Sequence, residues 1–90
     1  MKLSSAQKQR LKGLAHSLHA LVIIGNHGLT EAVQAEIECA LEAHELIKIR
    51  VNAATKEDRQ AITEAICQER DAALVQTIGH IVVIYRRKKN

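Results

Sequence analysis

Ninety residues allow one small domain with a modest core, and a net charge of +3 makes it only mildly basic. A hydrophobic share of 47% beside 26% charged residues excludes a disordered chain, no apolar run approaches the ~20 residues of a membrane span, and the N-terminus lacks the apolar core of a signal peptide. With no Phe, no Trp and a single Tyr at position 85, the chain has no aromatic platforms on which to stack bases, so any nucleic acid would be met through phosphate, sugar and shape.

Ser4 or Ser5 is placed to cap a first helix running to about Leu18. Its expected core stripe is Leu11, Leu14, Ala15 and Leu18, at the i, i+3, i+4, i+7 spacing of one helix face. Lys8, Lys12, His16 and His19 gather on one flank of that stripe. Leu21 to Ile24 predicts a strand that stops at Gly25-Asn26-His27-Gly28. A second helix follows, with Thr30 as its N-cap, Glu31 in the first turn, and Val33, Ile37, Ala40 and Leu41 as its buried stripe. Leu46 to Val51 alternates cleanly: Ile47, Ile49 and Val51 face one way, Lys48 and Arg50 the other, toward solvent. After a connection over Ala53 to Lys56, a third helix is expected from about Glu57 to Asp71, with Ile62, Ala65, Ile66 and Cys67 available for burial. Leu74 to Ile78 and Ile81 to Tyr85 read as strands around a Gly79-His80 turn. The order α-β-α-β-α-β-β predicts an α/β fold, a mixed sheet with helices packed against it.

The Gly25 to Gly28 loop lies at a helix N-terminus, where backbone N–H groups point outward and the helix dipole favours anions. Glycine at both ends lets another chain approach without a Cβ in the way. A nucleic-acid phosphate is one natural guest, and KH domains clamp nucleotide backbone with a GXXG loop. A tight strand-to-helix turn without a ligand is the other reading of these glycines. Charge is segregated along the chain. Lys2, Lys8, Arg10 and Lys12 precede Gly28 without any acid, whereas the second helix region carries Glu31, Glu36, Glu38, Glu42 and Glu45. Glu57 to Asp71 is acidic on balance, and the chain ends Arg86-Arg87-Lys88-Lys89-Asn90. This suggests a basic face opposite an acidic one, against the alternative of solvated charges that merely scatter.

Cys39 and Cys67 sit inside helical patterns with no CxxC and read as small buried apolar residues in a reducing cytosol; a disulfide is the alternative. His16 and His19, three apart, lack further ligands at zinc spacing from Cys39 or His44. His44 suits the dipole at the end of its helix. Gly28 is followed by no Lys-Ser or Lys-Thr, so the loop is not a P-loop, and no catalytic motif is recognisable.

Several segments in register resemble the YhbY/CRM-domain family (chloroplast RNA splicing and ribosome maturation). They are Leu11-Lys12-Gly13-Leu14-Ala15-His16, Ile24-Gly25-Asn26-His27-Gly28-Leu29-Thr30-Glu31, Ala35-Glu36-Ile37, Ala40-Leu41, His44-Glu45-Leu46-Ile47-Lys48, Gln76-Thr77-Ile78-Gly79 and Tyr85-Arg86. The resemblance runs from about Leu3 to Arg86. It implies a four-stranded mixed sheet, similar to the C-terminal domain of bacterial translation initiation factor three, with Gly25-Asn26-His27-Gly28 acting like the KH clamp. A stand-alone member looks like a bacterial protein that associates with precursor large ribosomal subunits; plant members assist intron splicing. This chain departs from many members at His19-Ala20 (Lys-Pro), at Arg87 (Pro) and at Asn26-His27, where a loop lysine is common. The proposed clamp therefore has fewer fixed charges, and His27 adds one only when protonated.

The resulting expectation is a non-catalytic, cytoplasmic, monomeric RNA-binding domain over residues 1–90 that assists large-subunit assembly. Gly25, Asn26, His27 and Gly28 would admit RNA backbone, and the first N–H groups of the second helix would receive a phosphate. Lys8, Lys12, Lys48, Arg50 and Arg86 would hold neighbouring phosphates of structured RNA, probed by Gly28→Asp. No metal, cofactor, membrane or small-molecule substrate enters this reading. The competing expectation is an adaptor that docks a ribosomal protein through acidic residues such as Glu38 and Glu42, with RNA contact secondary.

Overall fold

Each helix starts at a hydroxyl cap that the sequence supplies. In the computed structural model, which describes residues 2–88, the Ser4 hydroxyl accepts from the Gln7 N–H at 3.1 Å and Gln7 Oε1 accepts from the Ser4 N–H at 2.8 Å, a reciprocal capping box. Thr30 and Thr55 cap the next helices in the same way, accepting from Val33 and Asp58. The elements are α1 (Ser5–Ala15), β1 (Ala20–Ile24), α2 (Glu31–His44), β2 (Leu46–Val51), α3 (Lys56–Arg70), β3 (Ala73–Ile78) and β4 (Ile81–Tyr85), in the expected order. Of the basic C-terminal run, Lys89 lies outside the described residues.

The four strands form one mixed sheet in the order β1-β2-β4-β3. β1 pairs parallel with β2, while β4 pairs antiparallel with both β2 and β3. Helix α2 makes the crossover that a parallel pair requires, and a Gly79-His80 turn, with Gly79 at φ 56°, returns β3 into β4. The alternation of β2 sets the layers. Ile47, Ile49 and Val51 join Val22, Ile24, Val82 and Ile84 on one face, closed by Ile37 and Leu41 of α2 and Ile66 of α3. The other face is only partly covered, by Leu11 and Ala15 of α1 packed on Val75 and Val83.

That second, smaller cluster corrects two expectations. Helix α1 stops at Ala15 rather than near Leu18. The His16 N–H bonds to the Gly13 carbonyl and the Leu18 N–H to the Ala15 carbonyl, short-range bonds that tighten the end of the helix before β1. Leu14 and Leu18 are 57% and 37% exposed and so fall outside the stripe assigned to them. Lys48 is half-buried rather than fully solvated, whereas Arg50 is exposed. Cys39 is also exposed, against its expected burial. Cys67 is half-buried, and burial raises its thiol pKa. Among the described residues no helix is long and apolar enough to cross a membrane.

Candidate nucleic-acid interface

The parallel pairing of β1 and β2 brings their C-terminal ends together, the end where open α/β sheets commonly take ligands. Three connections meet there: the Gly25–Gly28 loop, the segment from Asn52 to Thr55, and the Gly79-His80 turn. The Gly28 N–H bonds to the Gly25 carbonyl at 3.0 Å, which closes the loop into a single turn. Asn26 and His27 are exposed at its tip. The Thr30 N–H bonds to the Gly28 carbonyl at 3.1 Å, joining the turn directly to the start of α2. Thr30 occupies the Val33 N–H, while helix geometry leaves the N–H groups of Glu31 and Ala32 without intrahelical acceptors.

The two loop glycines differ in backbone conformation. Gly28 has φ 69°, a left-handed conformation that side chains strain to adopt. Gly25 has no such φ, and a Cβ built on it meets nothing within 4 Å. Neither backbone conformation nor the protein's own packing therefore requires glycine at position 25.

The loop overlooks a recess of about 400 Å³ that it shares with Asn52, Ala54 and Asp58. The Asp58 carboxylate disfavours an anion inside this recess. The Asn52 N–H bonds to the Ile24 carbonyl at 2.9 Å, immediately before Gly25. The Arg50 Nε–H donates to Asn52 Oδ1 at 3.1 Å. On the next strand the Val51 N–H bonds to the His80 carbonyl at 2.7 Å, and the His80 ring Nδ1 lies 3.1 Å from the Val51 carbonyl.

Of the residues singled out in the sequence, Gly25, Asn26, His27, Gly28 and Arg50 are brought to this end of the sheet. Lys48 precedes Arg50 by two positions on the same face, about 7 Å back along the strand. Lys8 and Lys12 lie on α1, which crosses β3 and β2 away from the loop. The opposite flank of α1 meets the far ends of the strands, where Arg10 lines a hollow with Tyr85 and Leu14 lines another with Leu46. Lys8 lies at the β3 edge, in a hollow with Glu64 and Leu74.

Arg86 belongs elsewhere. Its side chain is only 6% exposed, at the end of the sheet opposite the loop. Nη1 and Nη2 donate to the Glu38 carboxylate, both at 2.8 Å; Nη1 also donates to the Arg70 carbonyl at 3.0 Å and Nη2 to Glu42 at 3.1 Å. The Glu38 hydrogen bond raises the Arg86 pKa, against a lowering by burial, so the guanidinium stays charged. This ion-pair cluster ties α2 and the C-terminus of α3 to the segment after β4, and leaves Arg86 no access to a phosphate. Asn52, absent from the sequence-derived set, is the residue the structure adds. Its signal was positional, the first residue after an alternating strand, and that alone does not set it apart from any loop residue.

A sheet with helices on both faces and a glycine-flanked loop between β1 and α2 defines the class of domain. The CRS1 / YhbY (CRM) domain family matches residues 3–86, and the chain belongs to that family. It is 60% identical over 84 residues to an "RNA-binding protein" of Haemophilus influenzae, covering 93% of this chain and 85% of the relative. It is 37% identical over 87 residues to "Probable RNA-binding protein YqeI" of Bacillus subtilis, covering 97% and 91%. A solution structure from Staphylococcus aureus, described as that of a candidate RNA-binding protein, superimposes with a TM-score of 0.86 at 35% identity, covering 99% of this chain and 93% of that one.

Proposed function

We propose that this protein is a non-catalytic, cytoplasmic RNA-binding domain that holds the sugar-phosphate backbone of structured RNA and assists assembly of the large ribosomal subunit. The observation that carries the reading is Gly25, an exposed glycine that neither backbone conformation nor internal packing requires, at the mouth of the α2 N-terminus. RNA backbone running past Gly25 brings a phosphate to the Glu31 and Ala32 N–H groups, where the helix dipole adds favourable charge. Arg50 supplies a fixed cation at this end of the sheet, Lys48 precedes it on the same face, and Lys8 and Lys12 add positive charge on α1. Family membership and the names of the relatives support RNA as the ligand. The adaptor alternative is weakened, because Glu38 and Glu42 are already engaged by Arg86. Docking through them would disrupt a cluster that holds the fold.

Sedimentation of cell extract through a sucrose gradient tests the ribosomal part of this reading. The protein is expected beside a particle just lighter than the mature large subunit at low salt, and at the top of the gradient at moderate salt. Its presence only at the top under both conditions would contradict association with precursor subunits.

A further inference from the structure

We infer that Asn52 is a positioning residue of the RNA site, aiming the Arg50 guanidinium at a phosphate beside the Gly25–Gly28 loop. Arg50 projects from the sheet face that α1 covers only in part, and an exposed arginine with no fixed partner samples many rotamers. Asn52 Oδ1 takes the Nε–H of Arg50 at 3.1 Å, which bends the guanidinium toward the end of the sheet and leaves the Nη1 and Nη2 groups as donors. Those groups form the fork that matches phosphate oxygens in a bidentate contact. The Asn52 backbone is held by its N–H bond to the carbonyl of Ile24, the residue before the loop, and Asn52 lines the recess beside Gly25, Asn26 and Gly28. One residue therefore links the loop to the Arg50 guanidinium. In a loop that carries no lysine, this arrangement supplies fixed charge from the adjacent strand.

The inference rests on the RNA-binding reading, and a double-mutant cycle keeps the two separable. Affinity for a ribosomal RNA hairpin is measured against salt for wild type, Gly25→Asp, Asn52→Ala, Arg50→Ala and the Asn52→Ala/Arg50→Ala pair. The amide NMR spectrum checks the fold of each. Asn52→Ala is expected to weaken binding about two- to tenfold, the cost of ordering one rotamer-rich side chain at an interface, and to have almost no effect once Arg50 is alanine. The Arg50 Nε–H resonance should be sharp in wild type and broadened in Asn52→Ala. Unchanged affinity in Asn52→Ala, or an equal loss in both backgrounds, overturns the positioning role while Gly25→Asp still reports on the loop. If wild type binds the hairpin without salt dependence, or Gly25→Asp binds as wild type does, the RNA reading itself fails and this inference with it.

Discussion

Arg86 illustrates what a charge run conceals at the scale of one residue. Within Arg86-Arg87-Lys88-Lys89 it reads as a solvated phosphate contact, yet the chain leaves β4 at the point where Arg86 turns inward onto Glu38, Glu42 and the last carbonyl of α3. Glu38 and Glu42 were legible as acids on α2, and nothing local linked them to a residue more than forty positions away. Replacing Arg86 by Gln should cost about 2 kcal/mol of stability, since it removes charge-assisted bonds at a nearly buried site. A urea titration reads this as a lower midpoint, and RNA affinity of the folded fraction should be unchanged. A wild-type midpoint with weakened RNA binding would restore Arg86 to the interface. The loop glycines divide in a similar way. The Gly-x-x-Gly pattern was plain in the sequence, but only the backbone separates Gly28, held at φ 69°, from Gly25, which is free of that demand. An affinity loss in Gly28→Asp would therefore mix strain with ligand exclusion, and Gly25→Asp replaces it as the probe.

At the scale of elements, order and capping were legible because they are local. Ser4 and Thr30 cap the helices the sequence assigns to them, Thr55 caps a third that the sequence starts one residue later, and the strict alternation of Leu46–Val51 identifies the central strand. Helix α1 was misjudged at its C-terminal end because a periodic stripe shows which residues share a face, not how far the surface beneath them extends. The small second cluster takes only Leu11 and Ala15 from α1, while Leu14 and Leu18 rim an open hollow with Leu21 and Leu46 and stay exposed. Leu11→Ala should destabilise the domain by about 2–3 kcal/mol, whereas Leu14→Ala should stay within about 0.5 kcal/mol of wild type. Equal losses in chemical denaturation would show that the exposed end of α1 is packed in solution.

At the scale of the molecule, the topology gathers a loop, a strand end and a turn that are far apart in sequence. Parallel pairing of β1 with β2 places Arg50 opposite Ile23 and Asn52 beside Gly25, and this adjacency depends on strand order, which hydrophobic periodicity does not encode. The segregated charges resolve only partly into faces. Lys48 and Arg50 share the partly open sheet face, while Glu38 and Glu42 of α2 and Glu45 just after it are engaged at the far end by Arg86, Arg70 and the Lys88 N–H. With Arg86 removed from the set, about two to four phosphate contacts remain, so log affinity should fall against log salt with a slope of about −1.5 to −3.5. The most direct test of the central claim is the affinity of wild type and Gly25→Asp for a ribosomal RNA hairpin from low to physiological salt. A salt-dependent wild type and a Gly25→Asp variant that folds normally but binds at least about tenfold more weakly would bear out the loop as the seat of the RNA backbone. Equal affinities at every salt concentration would contradict it.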